Sequence, residues 1–140
     1  MSTTSHPSRG IIERYADVSR TGDTSTLGEI IAPDFRLRLA PPIGVEGVAA
    51  FVRVLHAGFT EIAISLEQCV CDEDWASFRY TIAATHTGVF AGRAATGRRI
   101  AWEGADFMRL RQGKIVQLWP VQDSLPLMEG LGAVARVPAL

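Results

Sequence analysis

The chain has 140 residues, enough for one domain with one core, and its 47% hydrophobic and 21% charged residues are ordinary for a globular protein. Fourteen Lys and Arg nearly balance fifteen Asp and Glu, giving a formal net charge of −1, so no basic surplus points to nucleic acid or to an anionic membrane. No apolar run reaches the roughly 20 residues that span a bilayer, and the polar opening from Met1 to Arg9 has no apolar signal core, so the expected location is the cytoplasm.

Residues 1–9 read as a disordered tail and residues 10–140 as a single domain. Ile11, Ile12, Tyr15, Ala16 and Val18 share one face at helical spacing, and Thr21-Gly22-Asp23 ends that helix. A second short helix is expected from about Ser25 to Ile31, stopped by Pro33. Phe35, Leu37 and Leu39 alternate with Arg36 and Arg38, the pattern of a half-buried strand. A third helix from Val45 to about Phe59 would carry Val48, Phe51, Val52 and Leu55 on its apolar side. Ile62, Ile64 and Leu66 open a strand, Asp72-Glu73-Asp74 turns, and Trp75 to His86 returns. After a Gly- and Ala-rich loop from Gly88 to Gly97, a strand from about Arg99 to Leu110 turns at Gln112-Gly113 into a partner from Ile115 to Asp123. The segment from Ser124 can form a helical turn or two. Helices first and long antiparallel strands after imply an α+β fold, with helices laid on one face of a curved sheet.

Several chemistries lack their motifs. There is no GxGxxG or GxxxxGK[ST] phosphate loop and no Gly-x-Ser-x-Gly elbow. His6, His56 and His86 have no metal-ligand spacing. Cys69 and Cys71, two apart on one face of a strand, are badly placed to bridge and read as packed thiols. Arg93, Arg98 and Arg99 suit a solvated loop.

The last hairpin carries the candidate chemistry. With a two-residue loop at Gln112-Gly113, simple counting sets Asp106 opposite Trp119 and Trp102 opposite Asp123. Trp102, Asp106 and Met108 would then share one face with Trp119 and Asp123. A carboxylate among indoles is costly unless paired or protonated, and desolvation raises its pKa toward that of a usable acid or base. Asp106 and Asp123 are therefore the candidate acid/base groups. Asp123 could instead cap the C-terminal helix, and Asp106 could face solvent. A bulge caused by Pro120 would shift parity and bring Gln122 rather than Asp123 to the pocket face. His86 shares a face with Phe78, Tyr80, Ile82 and Ala84, where a histidine is either a satisfied core residue or a catalytic one. Tyr15 projects from the apolar face of the first helix, and Phe35 and Phe51 read as core or pocket wall.

Thr85 to Gly132 resembles the SnoaL-like ester cyclases. The family pattern of His-Thr-Gly, an aromatic and a Thr-Gly appears as His86-Thr87-Gly88, Phe90 and Thr96-Gly97. It continues as Asp106, Arg109, Gly113-Lys114-Ile115, Trp119, Asp123 and Leu131-Gly132. The segment from Gly22 to Phe35 also fits. The resemblance implies a cone-shaped α+β half-barrel around an apolar pocket. It implies an enzyme that closes a ring of an aromatic polyketide by intramolecular aldol addition, with a pocket aspartate as general acid/base and no cofactor or metal. Asp123 is the nearest candidate for that aspartate. Asp106 and His86 stand beside it as catalytic candidates, and Tyr15, Phe35, Phe51, Trp102, Trp119 and Gln122 as substrate-binding ones. A homodimer or homotetramer is implied as well. Many relatives have aspartate directly after the tryptophan, where this chain has Pro120; if the acid/base belongs there, Asp106 has to substitute. The same pocket also suits an epoxide or ester hydrolase, an isomerase or a non-catalytic ligand-binding protein.

Overall fold

The computed structural model describes residues 6–135. Helix α1 (Pro7–Thr21) is followed by a single 3₁₀ turn (Leu27–Glu29), strand β1 (Ile31–Leu37), helix α2 (Gly44–Gly58), strands β2 (Phe59–Cys71), β3 (Trp75–His86), β4 (Arg99–Arg111) and β5 (Lys114–Asp123), and helix α3 (Leu125–Gly130). The strands form one sheet in the order β1-β5-β4-β3-β2, antiparallel except where β1 runs parallel to β5. The sheet is curved and unclosed, with β1 and β2 as its two edges and the helices on its inner face, the α+β arrangement expected from the order of elements.

Three local expectations need correcting. Helix α1 begins inside the segment read as a tail: His6 is its N-cap, with Nδ1 accepting the Ser8 N–H at 3.1 Å, and Pro7 opens the helix where its missing N–H costs nothing. Residues 1–5 of that segment lie outside the described residues. The second helix shrinks to the 3₁₀ turn, and β1 starts at Ile31 and runs through Pro33. A proline is tolerated there because β1 is an edge strand. The strand ends at Leu37, where Arg38 adopts φ 51°, so Leu39 is left 78% exposed.

Packing follows the periodicities. Ile12 and Val18 of α1 and Val48, Ala49 and Val52 of α2 are buried against the inner face of the sheet. Phe51 of α2 is 54% exposed and lines neither the core nor the cavity described below. The buried arc of α2 is that of Val48, Ala49 and Val52, and Phe51, three residues from Val48 and four from Leu55, falls beyond its edge.

The core has two parts along the sheet. The larger gathers Ile12, Leu27, Ile31, Phe35, Met108 and Ile115. The smaller gathers Phe59, Ala84, Ile100, Trp102, Leu127 and Leu131, with α3 closing it. Cys69 and Cys71 are free thiols packed against the larger part.

The β4–β5 hairpin turns at Gln112-Gly113 as expected, with Arg111 facing Lys114. The register then shifts. Leu110 pairs with Ile115 but Arg109 pairs with Gln117, so Val116 is an unpaired extra residue. From there parity is reversed relative to simple counting. Asp106 lies opposite Pro120, Phe107 opposite Trp119 and Glu103 opposite Asp123. Parity does shift, but the bulge is at Val116, not at Pro120.

Candidate active site

Cross-strand partners share a face of a sheet, so the register defines the inner wall. One row runs Cys69, Phe78, Asp106, Pro120; the next runs Leu66, Tyr80, Gly104, Gln122; the third runs Ile64, Ile82, Trp102. Between these rows and α1 lies a cavity of about 110 Å³. Tyr15 and Ser19 of α1 and Leu55 of α2 face Phe78, Tyr80 and Asp106 across it. A groove of about 420 Å³ between α1 and β2 adjoins it through Ala16 and Ile64, with Glu13, Asp17 and Arg20 at its rim. The cavity alone suits one end of a ligand, since complete small-molecule sites run to several hundred cubic ångströms.

Asp106 is the chemical centre of this space. It is 5% exposed, and its Oδ1 has no hydrogen-bond partner. Burial pushes its carboxyl up to about 7. Such an acid is half protonated near neutral pH and can both take and return a proton.

Two phenols flank it. Tyr15 is held above its ordinary pKa first by burial and then by the charges of Asp106 and Tyr80; Tyr80 is raised by burial and then by Asp106. Both hydroxyls therefore stay protonated as hydrogen-bond donors. Tyr80 owes its position to Gly104 across the ladder, because a Cβ there would stand 2.5 Å from the Tyr80 hydroxyl oxygen. Tyr80 had no place among the sequence candidates. The signal was a tyrosine on the His86 face, opposite a strand glycine, in a register that had to be known first.

The other candidates are spread across the molecule. Asp123 is exposed and aligned with Glu103 on the outer side. Trp119 also faces outward, stacked 5.7 Å from Trp75. Gln122 reaches the inner-face row beside Gly104 but at the exposed end of β5. Phe35 is 1% exposed within the larger core, away from the cavity lining. Trp102 lies on the Asp106 face but in the smaller core, its Nε1 unpartnered.

His86 is fully buried at the far end of that core, and its ring contacts Phe59 at 5.4 Å. Nδ1 accepts the Thr96 N–H at 3.1 Å and lies 3.0 Å from Thr96 Oγ1. An acceptor at Nδ1 puts the neutral ring's proton on Nε2, which has no partner. The backbone adds His86 N–H to Arg98 O and Gly97 N–H to His86 O, both at 2.8 Å. Phe90 meets Phe59 edge-on at 4.9 Å, and Gly88 leaves no room for a side chain against the Ala57 carbonyl. His86, Gly88, Phe90, Thr96 and Gly97 thus work together as a clamp on the β3–β4 loop.

Among the described residues no group of three or more His, Cys, Asp or Glu side chains is arranged to hold a metal ion, and no helix is long and apolar enough to cross a membrane.

Comparison with known proteins agrees with this architecture. The family model of the SnoaL-like polyketide cyclases matches residues 10–131. The chain is 30% identical over 116 residues to the aklanonic acid methyl ester cyclase DauD of Streptomyces sp. (strain C5), covering 78% of this chain and 71% of that protein. It is 30% identical over 112 residues to the aklanonic acid methyl ester cyclase DnrD of Streptomyces peucetius, covering 75% and 77%. Among solved structures, TsrD from Streptomyces laurentii superposes with a TM-score of 0.85 at 25% identity, covering 95% of this chain and all of that one. A SnoaL-like polyketide cyclase from Agrobacterium tumefaciens superposes with a TM-score of 0.77 at 22% identity, covering 94% and 100%, a likeness of fold. A curved sheet around a buried carboxyl and a family match over most of the chain lead to one conclusion: this protein belongs to the SnoaL-like polyketide cyclase family and is an enzyme of the cyclase type.

Proposed function

We propose that this enzyme closes a ring of an aromatic polyketide ester by intramolecular aldol addition, without a cofactor, with Asp106 as the general acid/base. The observation that carries the reading is the buried carboxyl of Asp106, unpartnered at Oδ1 and facing a cavity between two tyrosines. Its carboxylate removes a proton from the carbon next to a carbonyl. The enolate carbon then bonds to a ketone carbon of the same molecule. The ketone oxygen takes the proton back from Asp106, leaving a hydroxyl group and no net change in oxidation state. Tyr15 and Tyr80 donate hydrogen bonds to the oxygen on which charge develops. The reacting end occupies the cavity while the rest of the substrate lies in the groove between α1 and β2. We further propose that the enzyme acts in the cytoplasm and as a homo-oligomer.

Aklanonic acid methyl ester, named in the two relatives, is the first substrate to test. Wild-type enzyme should convert it to a cyclised isomer of unchanged mass, and Asp106→Asn should lower turnover about 1,000-fold. A product that gains oxygen-18 from labelled water would replace cyclisation by hydrolysis. Equal turnover in Asp106→Asn would remove Asp106 from the chemistry, and tight binding without conversion by either protein would favour a carrier.

A further inference from the structure

Helix α1 is the roof of the cavity, and a side-chain hydrogen bond ties each of its ends to the rest of the fold. At its start, Ser8 Oγ donates to the Asp72 carbonyl at 2.8 Å. At its end, His56 Nε2 lies 2.8 Å from the Ser19 carbonyl oxygen. A carbonyl only accepts, so Nε2 carries the proton. Between the two ties Tyr15, Ala16 and Ser19 face the cavity, and the groove beside β2 leaves open volume along the Ala16 flank.

The second tie follows from how α1 stops. Gly22 takes the left-handed conformation at φ 78°, and its N–H closes on the Val18 carbonyl. The next N–H, that of Asp23, turns to Thr21 Oγ1 at 3.2 Å. Ser19 O is thereby left without the N–H four residues on that a continuing helix would give it. His56 supplies the donor instead, from the last turn of α2. Its ring fits because Gly22 has no side chain: a Cβ there would stand 2.9 Å from His56 Nδ1. Leu55, the residue before it, lines the cavity. The end of α2 thus gives one residue to the wall and the next to the roof.

We propose that His56 is a positioning residue for the reaction at Asp106: by holding the Ser19 carbonyl it sets the height of α1 over the carboxyl, and with it the place of the Tyr15 hydroxyl. Tyr15 stands one turn before Ser19 on the same face, about 6 Å along the axis at 1.5 Å per residue. A roof released at Ser19 lifts both side chains from the sheet and lets water in beside Asp106. Two things are then lost together. One oxyanion donor moves out of line, and the carboxyl regains solvent. The inference rests on Asp106 as the acid/base and names what keeps its surroundings closed.

Exchanging His56 for each of two amides tests this on the full chain. Gln carries its amide nitrogen where the imidazole has Nε2; Asn carries it only as far out as Nδ1, short of Ser19 O. His56→Asn should lower kcat about 30-fold with KM within about three-fold. In the same variant Asp106, followed by carbon-13 NMR, should titrate about one pH unit lower than in wild type. His56→Gln should restore the titration and bring kcat to within about three-fold of wild type. If thermal melting shows His56→Asn misfolded, Gly22→Ala replaces it, because the added Cβ pushes the ring off Ser19 O without removing it. Wild-type kcat and titration in His56→Asn overturn the inference even if its melting temperature falls, since His56 is then a structural tie alone. Equal losses in the Asn and Gln variants overturn it as well, because the ring and not its donor would matter. Lost turnover with Asp106 titrating as in wild type overturns the roof as the link. A lowered Asp106 titration with full turnover leaves the tie standing and overturns Asp106 as the acid/base.

Discussion

Both ends of the inner sheet face bury polar atoms without partners, but the atoms are of opposite kinds. Near α1, Asp106 presents an unpartnered carboxyl oxygen beside empty space and two phenols. Near α3, His86 Nε2 and Trp102 Nε1 are donors enclosed by Phe59, Ile100 and Leu131. A titratable oxygen beside a cavity can exchange a proton with a ligand. A donor sealed into aromatic packing is a cost of folding, borne here by a ring whose other nitrogen ties down a loop. Burial alone therefore does not mark chemistry; burial beside unfilled volume does.

The sharpest division between the two ends comes from Asp106→Asn, which should lose turnover about 1,000-fold yet gain stability. The sign follows from linkage. Burial raises the carboxyl of the folded state to about 7, above the unfolded value near 3.8, so the folded protein holds its proton more firmly. The strain of ionising Asp106 is absent below about pH 4, grows as the pH rises to 7 and is complete above it. Denaturation at pH 8 should show Asp106→Asn more stable by up to about 4 kcal/mol, fading to nothing near pH 4. A variant no more stable than wild type at pH 8 would mean that the site is solvated.

Tyr80→Phe should lower kcat about 50-fold by removing one donor to the developing oxyanion, with the melting temperature held. A change in KM alone would make Tyr80 a wall of the pocket. His86→Phe should do the reverse, losing about 2 kcal/mol of stability from the broken Thr96 contacts while kcat stays within a few-fold. If its kcat collapsed and its stability held, the contrast between the two ends would fail. Asp123→Asn should leave kcat within about two-fold, since that carboxyl is on the outer side and outside the reaction assigned here. A large loss there would mean that β5 adopts the other register during turnover.

Much of the architecture could be read from alternation and turn residues. The strand from Trp75 to His86 and the Gln112-Gly113 hairpin turn were both legible, because period-two burial and a glycine at φ 75° leave clear marks. The inward placing of Asp106 was legible too, since it lies between Trp102 and Met108 on a strongly alternating strand. What failed were properties set by partners. Nothing in Lys114-Ile115-Val116-Gln117 marks Val116 as the residue that drops out of the ladder, since a β-branched side chain suits either face. That omission misplaced Trp119 and Asp123 together. Phe51 failed for a different reason: its spacing of three from Val48 and four from Leu55 is that of one apolar stripe, but the helix is rolled so that Val48, Ala49 and Val52 are buried and Phe51 is left outside.

The unpaired residue at Val116 has a consequence for how such a site can change. Removing that one codon would leave the hairpin turn and every later pairing of β5 intact, because Ile115 would still face Leu110 and Gln117 would still face Arg109. Drawing Val116 into the ladder opposite Arg109 would instead exchange interior for exterior along the rest of β5: Leu118, Pro120 and Gln122 would turn outward, and Gln117, Trp119, Val121 and Asp123 would turn in. Absorbing that one residue into the ladder would thus refit the wall opposite Asp106 with an indole and, at its open end, a second carboxylate, whereas losing it would leave the wall as it is.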